Sequence, residues 1–290
     1  GCLMISFGDF PEGFKQYDVA GIVIVPVPYD MTSTWMKGSD KGPKALLEAS
    51  RQLEWYDIET NTEVFRQGIF TANPVNLKSP PETAIREIQK RIKPFADHNK
   101  FLVILGGEHS ISLAPVITLK EKFPDMSVLQ LDAHADLRPA YEGSSYNHAC
   151  VMARIKQHCP IVQVGIRSMD KEEKKYTERS RIYYAEEIYN QSNWMDDAIQ
   201  QLSEDVYVTI DLDVLDPAIM PSTGTPEPGG LYWYQLLKFL KKVARSKNIA
   251  GFDVVELCPQ KSNKSPDFIA AKLVYKLLSY IFQDKNNKQS

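Results

Sequence analysis

The chain has 290 residues, 43% of them hydrophobic and 24% charged, which is enough apolar material for one sizeable core. Its net charge of −3 gives no electrostatic case for a nucleic-acid partner or an anionic membrane surface, and no run approaches the length of a membrane span. The short apolar stretch near the start lacks the basic flank of a leader. Cys2, Cys150, Cys159 and Cys258 show no paired spacing and read as free thiols, so a cytoplasmic location is expected.

Taken in order, residues 21–26 read as a buried strand. A long polar loop with aromatic content follows over 28–38, of the kind that often serves binding. Gly42-Pro43 opens a helix to about residue 50. Residues 54–65 carry no clear pattern. Ser79-Pro-Pro-Glu82 has the form of a capping box and predicts a helix over 81–96 with Ser79 as its cap. The next buried strand, 101–105, stops at Gly106-Gly-Glu-His-Ser110, with a helix to about 122. Strand 128–131 runs into Asp132-Ala-His-Ala-Asp136. A loop carrying Arg138, Tyr141 and Asn147 leads to a helix over 148–158. Strand 161–165, a charged helix over 171–179, a short strand at 181–184 and a helix over 194–203 come next. Strand 206–210 ends in Asp211-Leu-Asp213, and a loop rich in Pro and Gly spans 216–230. A helix over 231–243, a strand over 249–255 ending at Glu256, a helix over 266–282 and a frayed polar tail from 284 complete the chain.

Short apolar strands alternating with helices mean a parallel sheet covered on both faces. The expected fold is therefore α/β: a three-layer αβα arrangement, one domain over residues 1–290, with a mostly parallel sheet of about eight strands.

In such a sheet, ligands bind beyond the carboxyl ends of the strands. Four strands here end in ionisable residues: His109; Asp132, His134 and Asp136; Asp211 and Asp213; and Glu256. Alternate positions share one face of an extended chain, so each set can converge on a point. A polar loop leaving a strand has the same composition, but buried carboxylates without counter-charge are costly. Four carboxylates with two neutral imidazoles carry four negative charges; one divalent ion leaves two, and two ions leave none. Oxygen and imidazole donors suit Mn²⁺ better than Zn²⁺, and two Mn²⁺ per chain are expected. Such a pair, bridged by a carboxylate and a water, would give a hydroxide nucleophile at neutral pH.

Gly-Gly-Glu-His-Ser (106–110), Asp-Ala-His-Ala-Asp (132–136) and Asp-Leu-Asp-Val-Leu-Asp-Pro (211–217) resemble the three signature motifs of the ureohydrolase family, the arginases and agmatinases. Residues 223–231 and 253–256 resemble two further family segments, and the likeness runs from Pro26 to Pro259. The resemblance implies an arginase/deacetylase-like fold and hydrolysis of a guanidino group to urea and an amine. It also implies one manganese on His109 and Asp136, the other on His134 and Asp213, with Asp132 and Asp211 bridging. His148 matches the family's proton shuttle for the departing amine, and Glu256 the anchor of the guanidinium. A surface histidine at a helix start and an ordinary strand-end carboxylate are the plainer readings of these two. Glu108 reads as structural. The family forms trimers and hexamers, so a homo-oligomer is implied.

Arg138 and Glu227 replace what arginases carry at these places and make the chain look like an agmatinase, whose product beside urea is putrescine, a polyamine. Glu227 reads either as a contact for the far amine or as a carboxylate holding its turn. Asn147, before His148, and Cys258, before Pro259, depart from the family pattern near the pocket. Agmatine is thus the expected substrate, with guanidinobutyrate, aminopropylagmatine and arginine as other guanidines. A one-zinc deacetylase of the same layered fold is disfavoured because all six ligands are present. A non-catalytic polyamine-binding relative is disfavoured because no ligand is lost.

Overall fold

The computed structural model describes residues 5–189, 191 and 193–286; Cys2 and the last four residues of the tail lie outside them. Eight strands build the sheet: β1 (Ile22–Val27), β2 (Ile69–Thr71), β3 (Phe101–Gly106), β4 (Ser127–Leu131), β5 (Ile161–Ile166), β6 (Ile182–Tyr184), β7 (Asp205–Asp211) and β8 (Asn248–Val255). All pairings are parallel, in the order β2-β1-β3-β8-β7-β4-β5-β6. Nine α-helices are present among the described residues: α1 (Gly42–Ser50), α2 (Pro81–Asp97), α3 (Leu113–Lys120), α4 (Val151–Ile155), α5 (Ala185–Ile188), α6 (Trp194–Gln200), α7 (Trp233–Ser246), α8 (Ser265–Ile281) and α9 (Gln283–Asn286).

Two apolar clusters cover the two faces. Ile22 and Ile24 of β1 pack with Leu46 of α1, Phe239 of α7 and Val274 of α8. Val23 and Val25, one position out of phase, join Ile88 of α2, Val116 of α3 and Met152 of α4 on the opposite face. The chain is therefore a three-layer αβα structure, and strands apolar on both sides are the reason it could be read as parallel.

Several local expectations change. The helix over 81–97 forms, but Pro80 and not Ser79 is its N-cap, without a side-chain cap bond. Pro81 keeps the residue before it extended (Pro80 ψ 155°), pushing Ser79 one residue too far out to cap. Ser79 instead accepts the Tyr29 hydroxyl on its carbonyl at 2.9 Å. The segment 171–179 is not α-helical: it is a 3₁₀ turn, Lys171–Tyr176, closed by a capping box between Asp170 and Glu173. The helices expected to begin near Ser110 and His148 each open with a 3₁₀ turn before α3 and α4. Edge strand β2, with three residues, is too short to show alternation and went unread.

Candidate active site

The four strands that end in ionisable residues, β3, β8, β7 and β4, are consecutive in the sheet. Their carboxyl ends open onto a cavity of about 370 Å³ lined by His109, His134, Asp136, His148, Asp211, Asp213 and Glu256, among others. The convergence expected from strand alternation is real, but the conformation behind it differs. Strand β4 ends at Leu131, and 132–136 is a loop in which Asp136 takes a left-handed φ of 53°. Asp211 closes β7, and Asp213 sits on a 3₁₀ turn whose first N–H bond goes to the Asp211 carboxylate (Asp213 N to Oδ1, 3.0 Å). Glu256 follows β8 with φ 70°, a conformation costly for a side chain of its length.

Two groups of ligand atoms result, each within 4.8 Å: His109, Asp132 and Asp211, and Asp132, His134 and Asp213. Asp132 belongs to both and is fully buried. His109 Nδ1 lies 3.1 Å from Asp132 Oδ2, 3.1 Å from Asp136 Oδ2 and 3.5 Å from Asp211 Oδ2. His134 Nδ1 lies 2.8 Å from Asp213 Oδ2 and 3.6 Å from Asp132 Oδ1. All six residues named from the sequence are thus gathered in one place.

His109 Nδ1, buried among carboxylates, is not aligned to hydrogen-bond any of them. Its Nε2 meets Thr209 Oγ1 at 2.9 Å, and that hydroxyl donates to Asp253 at 2.7 Å, so it accepts from Nε2–H. In its neutral form His109 would therefore turn the lone pair of Nδ1 toward the acids, an arrangement that suits a bound cation.

The electrostatics agree. Burial, then the Asp132 charge, pushes Asp136 up to about 7; burial, then the Asp213 and Asp132 charges, raises Asp211 well above the usual carboxylate range. Burial alone would lower the two imidazoles, but the Asp132 and Asp136 carboxylates outweigh it and raise His109. Asp213 and Asp132 likewise lift His134 to about 12. Without a cation, protons do the neutralising.

A buried polar row beneath the site was not read from the sequence. Gln163, Gln130, Thr209 and Asp253 are register partners across β5, β4, β7 and β8. Gln163 donates to Gln130 Oε1 (2.7 Å), Gln130 donates to Asp132 Oδ2 (2.8 Å), and Asp253 takes the Thr209 and Tyr207 hydroxyls. The available signal was a polar residue interrupting each apolar strand. Arg167 was missed as well: its guanidinium donates to the carbonyls of Asp213 (2.5 Å) and Glu227 (2.8 Å), tying the two loops together.

The remaining predicted site residues fall in different places. Glu256 Oε1 accepts the His109 N–H at 2.6 Å, and burial with the Glu108 charge raises its carboxyl well above normal. His148 lines the cavity; burial, with the positive His109 and His134, lowers it to about 4, so it is neutral at pH 7. Arg138 also lines the cavity, 3.8 Å from both Asp170 and Glu173 and over the Tyr141 ring. Glu227 Oε1 approaches the outer nitrogen of His134, Nε2, at 3.8 Å. Asn147 is buried, and its Oδ1 caps the 3₁₀ turn through Ala149 N at 3.0 Å. Cys150, Cys159 and Cys258 are free, the first two buried.

The profile of the Arginase family matches residues 20–279. An N(1)-aminopropylagmatine ureohydrolase of Synechocystis sp. is 38% identical over 96% of this chain and 94% of its own. The agmatinase of Pyrococcus horikoshii is 34% identical over 94% and 97%. Among solved structures, the agmatine ureohydrolase of Thermoplasma volcanium superposes with a TM-score of 0.87 at 26% identity, covering 98% of this chain and 96% of that one.

Proposed function

The chain belongs to the arginase family and is a ureohydrolase, and from that premise we propose that it cleaves agmatine to urea and putrescine with two Mn²⁺ ions. The observation that carries this reading is the pair of ligand groups sharing Asp132, with the buried His109 Nδ1 standing among the carboxylates without a hydrogen bond to any of them. We assign His109, Asp132, Asp136 and Asp211 to one ion and Asp132, His134, Asp211 and Asp213 to the other. When bound, the ion pair supplies charge compensation and a hydrolytic nucleophile at neutral pH.

The protein's own groups do the rest. The bond to His109 N–H uses one lone pair of Glu256 Oε1, and a carboxylate has enough further acceptor capacity to take two parallel N–H bonds from a planar guanidinium. The cation would in turn draw the raised Glu256 carboxyl back to its ionised form. Neutral His148 can take the proton released as the guanidine carbon is attacked and hand it to the leaving amine as the C–N bond breaks. The cavity wall also carries Asp170 and Glu173 beside Arg138, two acids to one base, and this net negative charge favours a substrate tail carrying an ammonium group over one carrying a carboxylate.

A second reading is aminopropylagmatine, a longer cation, supported by the name of the Synechocystis relative and by the same name on a Thermus thermophilus relative at 37% identity. A polyamine-pathway role, a cytoplasmic site of action, a single domain over the whole chain and a trimeric or hexameric assembly belong to the proposal; one eight-stranded sheet running through the chain supports the single domain. The test is urea release with Mn²⁺ over a panel of agmatine, aminopropylagmatine, guanidinobutyrate and arginine. Agmatine should have the highest kcat/KM; preference for arginine, or no urea from any of them, overturns the assignment.

A further inference from the structure

Behind His148 lies a half-buried polar chain, rooted in the core at Glu108, that the reaction as described does not use. Thr32, on the loop after β1, places Oγ1 3.0 Å from His148 Nδ1 and 3.1 Å from the His148 main-chain nitrogen. The same hydroxyl lies 2.7 Å from Glu108 Oε2, which also accepts the Thr32 N–H at 2.6 Å. Glu108 is fully buried, and its other oxygen takes the Ser110 hydroxyl. The two chain segments meet this closely because residue 107 is glycine: a Cβ there would stand 2.1 Å from the Tyr29 carbonyl oxygen. The loop is pinned again at its far end, where Asp30 Oδ2 accepts the Gly38 N–H at 2.7 Å.

A threonine hydroxyl has one proton and two lone pairs. With its proton on Glu108, Thr32 can only accept from His148, once from the main-chain N–H and once from Nδ1–H. Nε2 is then the nitrogen left with a lone pair for the cavity that His148 lines. We propose that Thr32, oriented by Glu108, is a positioning residue that selects the Nδ1–H tautomer and the ring orientation of His148. The proposal rests on His148 being the proton shuttle. Nε2 takes the proton released by the attacking water and delivers it to the leaving amine nitrogen as the C–N bond breaks, while Nδ1–H stays in place throughout. In the other tautomer Nε2 already carries a proton and cannot accept one first.

The experiment is a double-mutant cycle on the Mn²⁺-loaded enzyme, with bound manganese counted for each variant. T32V should lower kcat at least about tenfold with KM and metal content unchanged, and T32S should recover most of the loss. In an H148N background, T32V should cost nothing further, because it acts only through the ring. Additive losses, a change carried in KM or metal content, or T32V within about twofold of the parent would overturn the proposal. If H148N itself kept full turnover, the shuttle reading would fall and this inference with it. H148N inactive alongside an unaffected T32V would sink the positioning role alone.

Discussion

Glu227 stands 3.8 Å from His134 Nε2, while the other nitrogen of that ring faces Asp213 and Asp132. At that distance the carboxylate does not hydrogen-bond the ring, and it acts on His134 through its charge, which favours a cation nearby. Arg167 keeps the Glu227 main chain against Asp213, so the residue belongs geometrically to the His134 ligand group. E227Q removes that nearby charge and is therefore expected to weaken manganese binding, read by metal titration. Unchanged metal affinity with a raised KM confined to guanidines bearing an amine would assign Glu227 to the substrate tail instead. The sequence left both roles open because a loop carboxylate has no periodicity to fix its direction.

At the scale of elements, α8 explains the segment whose pattern could not be read. Lys276, buried in α8, bonds Asp57 at 2.8 Å and Glu59 at 2.7 Å, and Glu59 also takes Lys241 and the Tyr280 hydroxyl. Residues 54–65 are thus held by charge contributed from more than two hundred positions away, which no local pattern could disclose. Removing one partner of a buried pair leaves the other unpaired, so K276A should cost roughly 3–5 kcal/mol of stability, measured by denaturant titration. Burial alone would raise Asp57 and Glu59, but their bonds to Lys276 and, for Glu59, Lys241 outweigh it and hold both low, Glu59 at about 2. Carboxyls depressed in the folded state contribute stability above their unfolded pKa of about 4 and lose it as pH falls toward the folded value. The gap between parent and K276A should therefore narrow between about pH 5 and pH 2; a gap that stays constant would contradict the pairing.

For the whole molecule, the cation site couples folding to metal and to pH. Manganese bound only by the folded chain should add ~2.7 kcal/mol at a hundredfold excess over Kd, raising Tm by several degrees. EDTA should reverse the shift, and D132A, which removes the shared ligand, should abolish it along with urea production. The metal-free site holds protons on His109, His134, Asp136 and Asp211, and a cation must displace them. Affinity should accordingly rise as pH increases through about 7, where Asp136 gives up its proton. Calorimetric titration in buffers of different ionisation enthalpy would count the protons released; a count of zero would rule out this picture of the site.

Residue order alone was enough to expect the layered parallel fold and to point to six candidate ligands. Strands buried on both faces carry that information in composition alone, and the acids follow them directly in Asp132-Ala-His-Ala-Asp136 and Asp211-Leu-Asp213. Which strands lie side by side was decided only in three dimensions. β3, β8, β7 and β4 are neighbours because long crossovers bring them together, and no local pattern encodes the order. The supporting polar groups were decided there as well: Thr209 under His109, Gln130 under Asp132, and Glu108 with Thr32 against His148. Gln130 stands only two residues before Asp132, but Thr209 and Thr32 reach their imidazole partners from 100 and 116 positions away, so only folding could select those two.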